Sequence, residues 1–593
     1  MFELAKQTNS LKLLHWTKEL PSASAGDPLG LSLRVSARLA NELLYCITSI
    51  TPRARYYAFF PWAFQDYNDH EYATPADRGR VKAVLSRERA MVLGAVIHHN
   101  GPCKGGGLGG SDEAEILLNK GKRASYDLAS WSHLNASEGQ FGAAYKGSLI
   151  NLGLFKTDAA DVADEADDQT RELSDEAQAV EVRELSPLGK RLAKAFGNSI
   201  RNTCYVKENW TLRNKVDAKV LEEFGAVAGL CELSNKNAAD REVLRNVFFS
   251  RYDEMKTPAQ QRRRMSLLFL LECIAHANAA GTSLTSDTFR DICYFDALLG
   301  GEKKPRVIAV AIDARLKDIA QRWRIYHAHS FLAVALQSFL VTCVRTFRER
   351  RGGLGEDDFL LSLSAGAIRG QFRDMTGVDL TENFFALTPR QTLPACGMFW
   401  SKQAPTTLAS PRIENPLCER ALETLLIKSE ANDSAGIAFA ALLLYQVLLR
   451  YPAMTAEPIQ NWYRQQVYDP YADVSLTVVG DFVQGEFGSD WIDHPNGELL
   501  KRVIWRFVIR QHQTMSYERG FGGTAPLFQV DGSTVIGTSV DYTDPRSTHP
   551  RFNRALQILE DLGLIEDDSE VGYWITDDGK NWLRDELSQG ILS

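Results

Sequence analysis

The stretch that decides the fold is LEDLGLI at residues 559–565, followed after a short gap by ITDDGKNWL at 575–583. Its two leucines end an amphipathic helix, and Gly563 stands where a helix terminates in the left-handed conformation. The apolar pair after this glycine begins a strand, and Thr576, three residues before Gly579, is placed to cap a further helix. The spacing therefore predicts a helix, a two-stranded hairpin with an exposed tip and a second helix.

The same pattern occurs earlier in the chain, as LINLGLF at 149–155 and LSPLGKRL at 185–192. Between these two stretches, residues 157–181 are rich in Asp, Glu and Ala, which is typical of a solvated insertion. Both copies resemble winged helix-turn-helix domains of the bacterial regulator type, which share this LGLI and LTxxG pattern. The resemblance covers well under a third of the chain.

In a DNA-binding winged helix, the helix that ends at Leu562 would be the recognition helix. Basic and amide side chains at the start of such a helix reach phosphates and purine edges. The predicted DNA-binding residues of this copy are Arg546, His549, Arg551, Asn553 and Arg554.

Acidic wings favour the alternative, because many winged helices are protein-docking modules. Residues 151–184 contain 11 acidic and 3 basic side chains, a net charge of −8 that phosphates would repel. The C-terminal wing carries Glu566, Asp567 and Asp568. Both DNA contact and protein docking stay open for each copy.

A second basic segment spans 301–351, with 11 Lys and Arg against four acids. Arg315, Arg322 and Arg324 of this segment are candidates for contact with a phosphate backbone. The alternative is a solvated helix face. The arginine- and aromatic-rich run at 51–62 is interpreted as a packed helix–helix joint rather than a base-stacking platform.

Helical periodicity dominates the rest of the chain and predicts a mainly α fold, a multidomain helical scaffold with two winged-helix domains. Short strands are predicted at 475–479 and 534–536. The periodic stretches are 31–45, 77–98, 265–279, 311–348, 417–450 and 497–516. The predicted domains are an N-terminal helical domain (1–100), a winged helix with an acidic insertion (101–200), a helical domain with the basic segment (201–400), a helical domain (401–490) and a C-terminal winged helix (491–593).

Composition excludes several classes of protein. Of 593 residues, 44 % are hydrophobic and 24 % charged, which is globular, and the net charge of −8 excludes a uniformly basic coat. Nine scattered cysteines without a CxxC motif indicate a reducing compartment and no disulfide framework. Since no charge-free apolar run reaches 18 residues, we expect a cytoplasmic protein with no membrane partner.

Catalytic motifs give no positive indication. The GxGxxG run at 105–110 follows a helix where a dinucleotide site needs a strand, and the sequence contains no GxxxxGK[ST], GxSxG or HExxH. The acids Asp481 and Glu486 are the nearest approach to a nuclease core. We therefore expect no catalytic residue and no cofactor.

Two histidine groups were weighed as metal ligands. His327 and His329, two apart on a helix, point in nearly opposite directions. His98 and His99 with Cys103 are compact, but the sequence places no carboxylate beside them. The expectation is that the chain has no metal site.

The segment from Asp27–Gly30 to Arg53–Tyr57 resembles the start of large bacterial proteins encoded in mobile-element and phage-defence gene clusters. That resemblance implies a non-catalytic subunit that binds double-stranded DNA or bridges protein partners in a multi-subunit complex. Winged helices towards both ends are also similar to kleisin-type bridging subunits. The leading hypothesis is a DNA-associated adaptor, the second a protein-bridging scaffold, and the third a nuclease with acids from distant segments.

Overall fold

A computed structural model describes most of the chain. The described residues are 27–588 without 71–76, 104–105, 122, 130, 132–137, 157–183, 302–305, 351–352, 378, 381–382, 399–412, 429–432, 455, 469–473, 519–525, 539, 541, 543–544, 546–550 and 569–571. Helices make up 67 % of them and strands 8 %. The prediction of a mainly α protein is confirmed.

The chain forms two compact units, each assembled from separate stretches of sequence. Among the described residues, unit 1 comprises 27–37 and 325–545, and unit 2 comprises 38–324 and 551–588, with the gaps given above. These units differ from the five consecutive domains expected from the sequence. Composition marks where a chain changes character, whereas a unit is defined by which distant stretches pack together.

Most elements are α-helices. Their bounds are Ala37–Leu43, Tyr56–His70, Asp77–His99, Ser111–Asn119, Lys146–Asn151, Pro187–Ile200, Cys204–Lys207, Ala218–Ala228, Ala239–Phe248, Pro258–Ala279, Ser286–Phe295, Lys317–Glu349, Glu356–Leu361, Ala365–Thr376, Pro389–Thr392, Glu419–Ile427, Asp433–Met454, Glu457–Val467, Leu476–Phe487, Asn496–Ile504, Gln511–Glu518, Phe552–Asp561 and Asp577–Ser588. Three π-helical segments are Leu31–Ser36, Phe141–Tyr145 and Trp505–Arg510. Short 3₁₀ turns are Trp210–Leu212, Leu230–Ser234, Ala314–Leu316, Leu393–Cys396 and Trp491–Asp493.

All strand pairs in the described chain are antiparallel. The two-stranded pairs are Ser125–Asp127 with Lys215–Asp217, Phe155–Lys156 with Glu184–Leu185, Ala297–Gly300 with Arg306–Ala309, and Ile565–Asp568 with Gly572–Ile575. A three-stranded sheet in unit 1 has Thr534–Gly537 between Leu354–Gly355 and Phe528–Asp531.

The strand predicted at 534–536 is confirmed, but the strand predicted at 475–479 is wrong. Ser475 Oγ instead accepts a hydrogen bond from the Val478 amide and caps the helix Leu476–Phe487. Leu476, Val479 and Val483 of this helix are buried. Their helical spacing outweighs the strand preference of the local valines.

The repeated sequence pattern forms the same local structure twice, in stretches that we call the N-terminal repeat (Phe141–Ile200) and the C-terminal repeat (Phe552–Ser588). Each repeat has a helix, an antiparallel hairpin and a helix, as predicted. Gly153 and Gly563 both adopt left-handed φ values, 73° and 69°. The acidic insertion at 157–181 lies outside the described residues.

Matching hydrogen bonds cap the last helix of each repeat. Ser186 Oγ accepts from the Gly189 amide, and Thr576 Oγ1 accepts from the Gly579 amide, both at 3.0 Å. A Cβ at either glycine would overlap the carbonyl oxygen of the leucine after the left-handed glycine. The glycine of LTxxG is therefore required by the close approach of the last helix to the strand start.

The run at 51–62 lies in the core of unit 2. The side chains of Arg53 and Arg55 are only 1 % exposed, and Tyr56 and Tyr57 are fully buried. Arg55 is paired with the buried Asp240. This confirms the interpretation of the run as a packed joint.

Within the described residues, two helical spans are long and apolar enough to cross a membrane by length and composition, Ala314–Glu349 and Ser434–Pro452. Their apolar windows are 89 % and 83 % buried inside the structure. Buried core helices have the same composition, so these spans do not by themselves indicate a membrane protein.

Candidate functional site

The site is positioned by two helices of unit 2 that touch backbone to backbone. Gly94 of the helix Asp77–His99 meets Gly225 of the helix Ala218–Ala228, and a Cβ on either would overlap main-chain atoms of the other helix. This close crossing brings the end of the first helix beside the turn that follows the second.

Three potential metal ligands meet at these ends. His99 ends its helix, Cys103 follows in the glycine-rich loop at 101–110, and Cys231 lies in the 3₁₀ turn Leu230–Ser234. His99 Nε2 lies 3.1 Å from Cys231 Sγ, and the three ligand atoms lie within 4.8 Å of one another. We call these three residues the thiol–imidazole cluster.

A carboxylate and a second imidazole lie at the edge of the cluster. Glu232 Oε1 is 3.7 Å from Cys231 Sγ. A ligand atom of Glu232 also lies within 4.8 Å of those of His98 and His99. Cys103 is buried, whereas His98 is exposed.

The two thiols differ in acidity. A hydrogen bond from Cys231 lowers the pKa of Cys103 to about 6, and the charges of Arg53 and His99 add to this against the opposing effect of burial. The hydrogen bond to Cys103 and burial both raise the pKa of Cys231. Cys103 is therefore the more acidic thiol of the pair.

Arg53 joins this region to the C-terminal repeat. Its guanidinium donates to the Gly106 carbonyl oxygen at 2.6 Å, and it forms a two-pronged pair with Asp561 at 2.9 and 3.0 Å. Burial lowers the pKa of Arg53, but Asp561 more than compensates, so the guanidinium stays charged. Asp561 Oδ2 also accepts the Ala54 amide, at 2.9 Å.

The sequence pointed to two of the three residues of the cluster, His99 and Cys103, although it predicted no metal site. It singled out His98, His99 and Cys103 but found no carboxylate nearby. Cys231 and Glu232 are distant in sequence, and only the helix crossing brings them to the site. The signal that could have found them is the pair of small residues, Gly94 and Gly225, in two otherwise strongly helical stretches.

The helix predicted to read DNA begins against its own chain. Arg551 donates from Nη1 to Asn41 Oδ1 and to the Ile47 carbonyl oxygen, both at 3.0 Å. Arg554 donates from Nε to the Ser49 carbonyl oxygen at 2.8 Å. Asn553 is exposed, whereas Arg546 and His549 lie outside the described residues.

Two further acidic anchors hold the last helix of the C-terminal repeat. Asp578 Oδ2 accepts from Arg241 and Arg245 at 2.7 and 3.3 Å. Glu586, whose side chain is fully buried, accepts from two arginines. These are Arg251 and Arg264.

The hairpin of the C-terminal repeat also contacts another part of unit 2. Asn278 accepts from the Ile575 amide and donates to the Tyr573 carbonyl oxygen, at 3.0 and 3.2 Å. An antiparallel bridge links Tyr573 to Leu284. The first helix, the hairpin and the last helix of this repeat therefore all contact other parts of unit 2.

The arginines predicted in the basic segment have acidic or carbonyl partners. Arg315 pairs with Asp313 and Arg322 with Asp318. Arg324 donates to the Cys293 carbonyl oxygen and pairs with Asp296. These local pairs reduce the positive charge that the segment offers to phosphates. DNA contact by these three arginines stays a prediction.

The remaining candidates from the sequence are His327, His329, Asp481 and Glu486. His327 and His329 are fully buried, and His329 Nδ1 lies 2.9 Å from the Tyr463 hydroxyl. Asp481 and Glu486 lie on the helix Leu476–Phe487 rather than on a strand.

The last helix of the N-terminal repeat, Pro187–Ile200, exposes a row of basic side chains. Lys190 and Lys194 are one helical turn apart, and Arg201 follows two turns later, all three exposed. We call these three residues the basic stripe. The helix itself contains no acidic residue.

Comparison of the chain with protein-family models, with curated proteins and with solved structures found no match.

Proposed function

We propose that the protein is a scaffold subunit that bridges protein partners, with its C-terminal repeat acting as an internal docking module rather than a DNA reader. The observation that carries the proposal is the attachment of the repeat through three buried or half-buried acids. Asp561, Asp578 and Glu586 each bind arginines elsewhere in unit 2.

DNA binding by the C-terminal repeat would require side chains at the start of its first helix to contact phosphate. A recognition helix contacts DNA with its N-terminal residues. In this chain Arg551 and Arg554 occupy those positions and bind the main-chain oxygens of Ile47 and Ser49, and Arg551 also binds the side-chain oxygen of Asn41. Breaking these contacts to reach DNA would offset the gain from phosphate binding. The exposed wing acids would add repulsion.

The test is assembly in the absence of nucleic acid. The full chain is co-expressed with the products of its neighbouring genes, treated with a nuclease, and measured by size-exclusion chromatography with light scattering. We expect a complex of fixed stoichiometry that survives the nuclease. A chain that elutes alone, or a complex that disperses after the nuclease, contradicts the proposal.

A second candidate, the DNA-associated adaptor, is favoured by the basic stripe. Its side chains are spaced along one helix face and lie at the surface of the N-terminal repeat. Each phosphate contact adds about 0.9 to the slope of log affinity against log salt.

Fluorescence anisotropy of a random duplex at three salt concentrations decides between the two candidates. If the stripe binds DNA, the double charge reversal K190E/K194E lowers the salt slope by about two. The control is K219E, at an exposed lysine on another helix of unit 2. Equal binding by both variants, or no binding by the wild type at low salt, excludes the DNA candidate.

A further inference from the structure

We propose that the thiol–imidazole cluster is a binding site for a borderline-soft divalent cation of the zinc class. His99, Cys103 and Cys231 are three ligands, and Glu232 is the fourth.

The donor set fits this class of metal. Thiolate sulfur and imidazole nitrogen are the protein ligands that zinc prefers, and carboxylate oxygen is accepted as a fourth. Magnesium and calcium prefer oxygen ligands, so the two cysteines select against them. The site thus has two sulfurs, one nitrogen and one oxygen donor.

The spacing of the donor atoms fits a tetrahedron. In a tetrahedral site, Zn–S bonds of about 2.3 Å and Zn–N bonds of about 2.0 Å give S–S edges of about 3.8 Å and S–N edges of about 3.5 Å. His99 Nε2 and Cys231 Sγ are 3.1 Å apart, and Cys231 Sγ and Glu232 Oε1 are 3.7 Å apart. The His99–Cys231 separation is shorter than a tetrahedral S–N edge, and all three atoms of the cluster lie within 4.8 Å of one another, so the side chains must shift slightly to surround one ion.

The surroundings hold the ligands in place. Backbone contact at Gly94 and Gly225 fixes the two helix ends that carry His99 and Cys231. The loop that carries Cys103 is tied to Arg53 through the Gly106 carbonyl oxygen. Such support keeps a metal site in one arrangement.

The nearby cation does not oppose metal binding. Arg53 is neutralised by its two-pronged pair with Asp561. Two thiolates and the Glu232 carboxylate more than balance a divalent ion, with a neutral imidazole as the remaining ligand. Charge and geometry at the site therefore agree.

Cobalt(II) is the probe, because a tetrahedral cobalt–thiolate site gives a charge-transfer band and strong visible absorption. The full chain is purified, stripped with a chelator under reducing conditions and titrated with cobalt, then with zinc. We expect about one cobalt ion per chain to give the charge-transfer band, and zinc to abolish it.

Substitutions assign the ligands. C103S and C231S should each weaken cobalt binding by more than the roughly 10- to 100-fold typical of an outer-shell loss. The matched control is C204S, at a cysteine of unit 2 outside the cluster. E232Q should weaken binding without removing the charge-transfer band.

A second set of measurements separates loss of ligation from loss of folding. His99→Cys should keep cobalt bound and strengthen the charge-transfer band, because it adds a third thiolate. Circular dichroism of each variant reports the helical fold, and zinc should slow alkylation of Cys103 and Cys231 in the wild type.

The proposal is overturned if the wild-type chain gives no charge-transfer band, or if the band is unchanged in C103S and C231S. It is also overturned if peptide mass spectrometry of protein purified without reductant finds Cys103 and Cys231 disulfide-linked and the reduced protein takes up no metal.

Discussion

The substitution D561N tests whether the C-terminal repeat is docked through charge. Asp561 is the last residue of the helix Phe552–Asp561 and forms a two-pronged pair with Arg53. The two side chains are only 3 % and 1 % exposed. An amide at this position keeps the size of the carboxylate but loses its charge.

The expected cost follows from what remains after the substitution. Asparagine can still offer one oxygen to the Ala54 amide, but its NH₂ group faces a guanidinium that also only donates. The Arg53 charge is then buried without compensation. Removing one partner of a buried ion pair costs about 3–5 kcal/mol. Because one acceptor oxygen survives, we expect about 3 kcal/mol.

Hydrogen exchange with peptide mass spectrometry measures this locally. If opening of the docked repeat governs exchange, a loss of about 3 kcal/mol raises the exchange rate of amides in Phe552–Asp561 by about 100-fold. The control is E566Q, the same change of acid to amide at an exposed wing position of this repeat. It should change the rate less than about threefold.

The double variant R53M/D561L separates charge from packing. Removing both charges avoids the uncompensated cation, so it should restore part of the protection lost in D561N. An increase below about fivefold in D561N, or a double variant no better protected than D561N, would refute the charge argument.

Two further predictions concern stability. Burial lowers the pKa of His329 to about 4 from 6.5. The neutral imidazole therefore contributes its full share to the free energy of unfolding above pH 6.5, and about 3 kcal/mol of this is lost as the pH falls towards 4. Urea unfolding of the wild type and H329Q should show a difference in free energy that changes with pH, and a constant difference contradicts this. G579A should destabilise by about 1–3 kcal/mol, because the added methyl overlaps the Leu564 carbonyl oxygen. Its control G147A, in an exposed helix position with open space around the added atom, should be neutral or stabilising, and equal effects would contradict the packing argument.

The repeats were predictable because their signals are local. In the C-terminal repeat, the glycine that ends the first helix, the hydroxyl cap three residues before a second glycine and the apolar residues between them all fall within one short stretch, and the N-terminal repeat has the same signals on either side of its acidic insertion. Each of these signals favours one local backbone structure. Local signals failed at Ser475, where a valine-rich run suggests a strand and the helix cap decides otherwise.

The candidate site was only half predictable because its ligands come from stretches far apart in sequence. His99 and Cys103 are close enough to be noticed together, whereas Cys231 and Glu232 join them only through the crossing at Gly94 and Gly225. A glycine inside a helix usually costs stability. Such a glycine alone does not indicate which other stretch of the chain packs against it.

The same limit explains the arginines. Charge counted along the sequence made the segment 301–351 and the start of the helix Phe552–Asp561 candidates for phosphate contact. In the folded chain such arginines find acceptors within the protein instead. Arg551 binds the Ile47 carbonyl oxygen and Asn41 Oδ1. Arg263 binds the carbonyl oxygens of Phe248 and Val247.

Arg53 shows how one side chain can serve two functions that the sequence keeps apart. Its guanidinium binds the loop of the thiol–imidazole cluster through Gly106 and the C-terminal repeat through Asp561. Loosening of the repeat would therefore release a buried charge beside Cys103. Docking of the repeat and order at the cluster are then expected to change together, because both depend on the same buried cation having its carboxylate partner.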